Sequence, residues 1–286
     1  MVKIITDSTS DITRDLAGKL GIKVVPLTVF FGRESFLDRV EISTEEFYRR
    51  LVGDVFPTTT QPSPGVFAEV YNQLSEETDE IIALVISSKL SGTYQSAVNA
   101  TGMIKKKNVR VEVIDSRNTA MALGLLAIHA SRLAAGGASF EHIVQSIRER
   151  IPRVHPLMYF ETLKYLAKGG RIGKAQGLLG SLLSIKPIIT LEDGEVAPVT
   201  RVRSKKAGMD HLYKLVAGFG DNIEALAVEH ATTPEDADQF VDRLADIYPR
   251  DKILRSTVSP VLGTYMGPNV VGVFVLEGPG QPKKES

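Results

Sequence analysis

A chain of 286 residues with 43% hydrophobic side chains is long enough for two cores of ordinary size, and its 34 Lys and Arg balance its 34 Asp and Glu. That balance gives no general electrostatic pull toward nucleic acid or an anionic membrane. With no Cys, disulfides, thiol nucleophiles and the commonest zinc sites are excluded, so neither a metal nor a cofactor is expected.

The N-terminus, "MVKIITDSTSD", has neither the pattern of a secretory signal nor the length of a membrane span. A cytoplasmic protein without stable membrane insertion is expected. From there to about residue 150, apolar runs alternate with amphipathic stretches: "VKIIT" before "DITRDLAGKLG", "IKVVPLTVFF" before "STEEFYRRLVG", "EIIALVI" before "TYQSAVNATGMIKKK", and "VRVEVID" before "TAMALGLLAIHASRLAAGG" and "SFEHIVQSIRER". Continuous apolar strands need cover on both faces, so the alternation predicts a doubly wound, mostly parallel α/β sheet over residues 1–155.

Prolines in "IPRVHPL" interrupt this pattern, and a second, mixed-sheet α/β domain is expected over 156–286. Its elements are a strand at "LMYFET", a helix at "AQGLLGSLLS", and a hairpin "PIITLEDGEVAPVTRV" turning at Asp193 and Gly194. A helix from Ser204 to Phe219, the strand "IEALAVE", the helix "TPEDADQFVDRLADIY" and the strands "KILRSTV" and "VVGVFVLE" follow.

Hydroxyls collect where ligands bind in such sheets, at loops leading from strand ends into helices. These loops are "TDSTSD" with Asp7 and Ser8, "TTTQPSPG" with Thr59, Thr60 and Ser63, and "SSKLSG" with Ser91 and Gly92. Helix N-termini offer unpaired N–H groups and partial positive charge, so hydroxyls beside them suit a carboxylate or other anion without a nearby Lys or Arg. Capping explains one side chain per helix, Ser63 before Pro64 being a good example, and leaves the remaining hydroxyls over. Asp7 and Asp11 could form an acid/base pair, although Asp11 also fits the N-cap of the first helix. Among the histidines, His129 reads as a packed core residue, and His230 at a strand end is the one to watch. No P-loop, nucleophile elbow or H-E-x-x-H spacing is present, so no catalytic residue is expected.

The segments "DSTSD", "TTTQPS", "SSKLSGTYQSA", "VIDS", "YLAKGGRIGKAQGLLGSLLSIKPI" and "VTRVRSKKA", in this order, resemble motifs of the DegV family. The resemblance implies two domains with one long-chain fatty acid between them. It also implies a non-catalytic subunit that presents this acid to a separate ATP-dependent fatty acid kinase subunit, the acyl phosphate feeding phospholipid synthesis. By the same resemblance, Thr59 and Ser91 bond the carboxylate. Arg171 and Arg203 lie in family-like segments and are candidates for a phosphate or partner contact. One departure stands out: the family usually has a His two residues before a Gly-Pro-Gly, whereas this chain reads "TYMGPNVVG", with Tyr265 there and Asn269 for the last Gly. Tyr265 fits either a neutral hydrogen-bond donor to the head group or a buried aromatic with its hydroxyl satisfied elsewhere.

For the tail, "LMYF" at 157–160 and "GLLGSLLSIKPII" at 177–189 supply apolar side chains. At about 0.8 kcal/mol per methylene, a sixteen-carbon chain gains roughly 12 kcal/mol gross on burial, so the tail dominates affinity. Two other function classes fit the same residues. A stand-alone enzyme on a small carboxylated or phosphorylated metabolite would need a polar pocket, and a lipid-responsive sensor would use the lipid site without a kinase.

Overall fold

The computed structural model describes residues 1–178 and 185–279. Its N-terminal part comprises β1 (Lys3–Asp7), α1 (Arg14–Leu20), β2 (Ile22–Val25), β3 (Thr28–Phe31), β4 (Glu34–Leu37) and α2 (Thr44–Leu51). It continues through β5 (Thr58–Thr60), α3 (Pro64–Ser75), β6 (Glu80–Val85), α4 (Thr93–Thr101), β7 (Arg110–Asp115), α5 (Ala120–Ala135) and α6 (Phe140–Arg150). Four of these strands form a parallel sheet in the order β2-β1-β6-β7. The order reverses between β1 and β6, and at such a switch point the loops at the carboxyl ends part to leave a crevice. "TDSTSD" and "SSKLSG" are the two loops that leave those ends.

The apolar run "IKVVPLTVFF" is two strands, not one. Pro26 has no N–H for a ladder, so β2 ends at Val25, and β3 turns away to pair antiparallel with β4 and β5 in a separate three-stranded sheet. The triplet "TTT" therefore lies in an edge strand. Asp11 is not the N-cap of the first helix either: Thr13 caps α1 through Leu16 N–H, while Asp11 is buried and closes the 3-10 turn Ser8–Ser10 in the left-handed conformation at φ 52°.

The second part comprises β8 (Val154–Tyr159), α7 (Lys164–Lys168), β9 (Lys186–Glu192), β10 (Glu195–Val202), α8 (Lys205–Ala217) and β11 (Ile223–His230). After these come α9 (Pro234–Leu244), β12 (Leu254–Thr257), α10 (Pro260–Met266) and β13 (Val271–Glu277). They build a mixed sheet in the order β10-β9-β8-β13-β11-β12. The hairpin turns at Asp193 and Gly194, both at positive φ, as a two-residue turn of the hairpin-favouring hand requires. The expected helix "AQGLLGSLLS" begins as a 3-10 turn over Gly173–Leu178, and its remainder lies outside the described residues. Helix α10 has no counterpart in the sequence expectations.

Helix α5 explains how the sheets are held together. Its apolar residues run all round the helix, from Met121 through Leu126 to Ala134, and nearly all are buried because it packs against both β1 and the strands β8, β11 and β13. One hydrophobic core consequently runs from Ile4 through Leu126 to Phe274. His129, on this helix, bonds Glu224 and Ser146 Oγ, a structural role. No helix among the described residues is long and apolar enough to cross a membrane.

Candidate functional site

Between the two larger sheets runs a narrow slot holding about 670 Å³ of empty space, open solvent at its mouth included. Its walls are largely apolar: Leu27 and Ile86 from the N-terminal part, Met158, Phe160, Ile189 and Val196 from the mixed sheet, and Leu262 and Met266 from α10. Polar side chains gather at Thr59, Gln61, Ser91, Tyr265 and Arg171, with Thr9 and Thr119 also on the wall.

Thr59 enters the slot through strand alternation. In β5, Thr58 and Thr60 are exposed and Thr59 between them is half-buried, because successive side chains point to opposite faces. Tyr265 arrives from α10, and its hydroxyl lies 2.5 Å from Thr59 Oγ1. The two hydroxyls share one proton between them and leave the other free to donate. The Tyr265 ring is held by its neighbours. The Arg171 guanidinium lies 5.0 Å from the ring centroid, while Arg171 Nε donates to Leu90 O at 3.3 Å and Nη1 to Gly169 O at 2.8 Å.

Ser91 follows a turn in which Leu90 and Ser91 N–H both bond Ser87 O. Its Oγ lies 2.9 Å from Thr93 Oγ1 and accepts from Thr93 N–H at 3.3 Å, so its proton is available when Thr93 Oγ1 is the donor of that hydroxyl pair. The other hydroxyls of this segment have separate duties. Ser87 Oγ donates to Gly194 O at 2.8 Å, tying the parallel sheet to the hairpin, and Thr93 is fully buried. A Cβ at Gly92 would lie 2.9 Å from Nε2 at the tip of the exposed Gln61 side chain, which would have to move aside.

The remaining loop residues do not reach the slot. The Asp7 carboxylate accepts from Thr9 N–H and Oγ1 and from Ile86 N–H at 2.7 Å, bracing β1 against β6. Burial pushes its pKa up while these bonds pull it down. Such a brace is no acid/base partner for Asp11. Ser8 Oγ accepts from Leu27 N–H, Thr60 is exposed, and Ser63 caps α3. Arg203 is exposed in the turn between β10 and α8, apart from Arg171. His230 is buried and does not line the slot. Gln61, Thr9 and Thr119 were not singled out by the sequence. Of these, Gln61 was visible within "TTTQPS", whereas Thr119 carries no local signal beyond preceding α5.

The DegV family model matches residues 1–278. The chain belongs to the DegV family. A DegV domain-containing protein of Caldanaerobacter subterraneus is 40% identical over 280 residues, covering 96% of this chain and 99% of that one. Among solved structures, a DegV family protein of Thermus thermophilus described as fatty acid binding has a TM-score of 0.89 at 33% identity, covering 96% of this chain and 99% of its own. DegV of Bacillus subtilis, described as a fatty acid binding protein, has a TM-score of 0.87 at 29% identity over the same 96% and 99%. A stearic acid-binding protein of Eubacterium ventriosum has a TM-score of 0.88 at 26% identity, covering 97% of this chain and 98% of its own. The DegV-like segments of the sequence thus surround the slot on several sides.

Proposed function

We propose that this chain is a cytoplasmic, non-catalytic carrier that holds one long-chain fatty acid in the slot and presents its carboxylate to an ATP-dependent fatty acid kinase subunit. The observation that carries the reading is the asymmetry of the slot: apolar walls from Met158 to Leu262, and uncharged donors Thr59, Ser91 and Tyr265 together at the mouth. The DegV relatives that bind fatty acids support the class of ligand. Of the apolar run 177–189, Ile189 is on the wall, and residues 179–184 lie outside the described residues.

With Thr93 Oγ1 donating to Ser91 Oγ, protons on Ser91 and on the Thr59–Tyr265 pair suit a carboxylate, which accepts and does not donate. Backbone N–H groups beside Gly92, at the start of α4, add partial positive charge. A buried carboxylate without such partners would lose about 1–3 kcal/mol or more, so the hydroxyls serve orientation and the tail serves affinity. Presentation to a partner is supported by the polar end being the accessible end: Thr59 and Ser91 are half-buried, and Gln61 and Arg171 are exposed. Arg171, and Arg203 farther away, remain candidates for contact with the partner or the new phosphate.

In titration calorimetry, Thr59→Ala with Ser91→Ala is expected to weaken palmitate binding on the order of 100-fold, as loss of two charge-assisted hydrogen bonds implies. Methyl palmitate should lose only a small part of that. Equal losses for acid and ester would remove the head-group assignment. Native mass spectrometry of protein purified from cells should find one acyl acid per chain, and a uniformly empty chain would remove the carrier reading. For the kinase step, incubation with palmitate alone should leave the acid unchanged. Acyl phosphate should form only with a kinase subunit and ATP.

A further inference from the structure

Buried carboxylates with no part in the proposed head-group contacts meet at the N-terminal end of α10. Asp11 follows β1, Asp38 follows β4 and Glu229 lies in β11, and none is more than 1% exposed. The facing cation is Arg39, whose Nη2 lies 3.4 Å from Asp11 Oδ1 and also donates to Thr257 O. Tyr48, buried on α2, is the other titratable group turned toward them. His230 follows Glu229 in the strand and so points to the opposite face, where Arg255 and Asp238 are its neighbours.

The donors present do not satisfy three ionised carboxylates. Asp11 Oδ1 accepts from Ser259 N–H at 3.1 Å, and Glu229 Oε2 from Met121 N–H at 3.3 Å. The Asp11 and Glu229 side chains face each other, and a carboxyl proton between them would supply the missing donor. Asp38 has only the more distant Ser8 hydroxyl and Val261 N–H beside it. No group of three or more His, Asp and Glu among the described residues is arranged to hold a metal ion.

The cluster touches the slot through α10. Ser259 caps this helix and Pro260 opens it, while Val261, Leu262, Tyr265 and Met266 line the slot. Ser256 Oγ, just upstream, donates to Asp11 O. We infer that Asp11, Asp38 and Glu229 form a proton-dependent seat for α10, which makes Asp11 and Asp38 positioning residues for Tyr265. The seat does not depend on which ligand the slot holds; its effect on head-group affinity rests on the fatty acid reading.

Burial is the main cause pushing Asp11 up to about 6, Asp38 up to about 7 and Glu229 well above its ordinary range, with Arg39 opposing it in each case. Between the unfolded value of 3.8 and the folded values of Asp11 and Asp38, the native chain binds more protons than the unfolded one. Stability from this cluster is therefore greatest at low pH and falls as pH rises through that interval. Above it, several like charges share one guanidinium in a dry junction, and the seat loosens.

The test compares the ligand-free full chain with Asp11→Asn/Asp38→Asn. Asn keeps an acceptor oxygen for Ser259 N–H, tolerates the left-handed conformation of position 11, and does not titrate. Between pH 5.5 and 8.0 the unfolding constant of the parent should rise on the order of 100-fold more than that of the double mutant. Hydrogen exchange of α10 amides, corrected for intrinsic rates, should lose protection relative to β6 over the same range in the parent only. Either single mutant serves if the double one does not fold. Equal pH slopes, or α10 protection that tracks β6 throughout, overturn the seat whatever the ligand is. The affinity of the parent for palmitate should fall between those pH values by a factor about three or more times larger than the factor for the double mutant. Equal profiles in a chain whose seat responds to pH would detach Tyr265 from the inference.

Discussion

Val196→Phe is expected to weaken palmitate binding on the order of 100-fold while leaving the ratio of acid to methyl ester affinity unchanged. Val196 is 5% exposed, lies in β10 and faces the slot alongside Ile189 and Met158. A phenyl ring there would occupy the space of about four methylenes, and at about 0.8 kcal/mol each their displacement costs roughly 3 kcal/mol. The head-group donors are untouched, so acid and ester should suffer alike. Calorimetry with palmitate and decanoate checks the origin of the loss: a shorter tail should be penalised less if the ring blocks the slot partway along. Because Val196 borders the slot, overpacking there should cost the free chain about 1–3 kcal/mol, which thermal unfolding measures. Undiminished palmitate affinity in a folded Val196→Phe chain would mean that the tail lies elsewhere.

The parallel sheet was legible because its signals are local. "IIALVI" is a buried strand whichever neighbours it has, and "EDGE" at 192–195 fixes a hairpin through the backbone needs of two residues. What escaped was set by tertiary contact. Pro26 splits an apolar run in sequence, but only pairing with β4 and β5 turns "TTT" into a strand with Thr59 as its inward residue. Helix α10 is seven residues long, carries Gly263 in its middle and stops at Gly267, so packing against α2 and α7 decides it. Asp11 resembles a cap in sequence because Asp before an amphipathic stretch usually is one. Its burial beside Glu229, more than two hundred positions away, has no local signature. The same distinction applies to the slot. Thr59, Ser91 and Tyr265 each drew attention within their own segments, but only the fold brings a sheet edge, a turn and a short helix to one mouth.

The position of Tyr265 depends on a residue with no side chain. At Gly169, where α7 ends, an added Cβ would lie 2.7 Å from Tyr265 Cε1 and nearer still to Cδ1. The backbone there has φ −81°, which any residue adopts, so Gly169→Ala introduces steric conflict and no dihedral strain. The ring has little room to yield, with the Arg171 guanidinium beside it and its hydroxyl engaged by Thr59. Gly169→Ala should therefore destabilise the chain by about 2 kcal/mol, as overpacking does, and should weaken palmitate binding about tenfold while sparing the methyl ester. Tyr265→Ala removes the obstructing ring, and in that background Gly169→Ala should cost less than about 0.5 kcal/mol. The resulting coupling, about 1.5 kcal/mol by denaturant unfolding of the single and double mutants, measures the contact itself. If Gly169→Ala cost the same with and without the ring, the glycine would serve only its own turn, and Tyr265 would owe its place at the mouth to Thr59 and α10 alone.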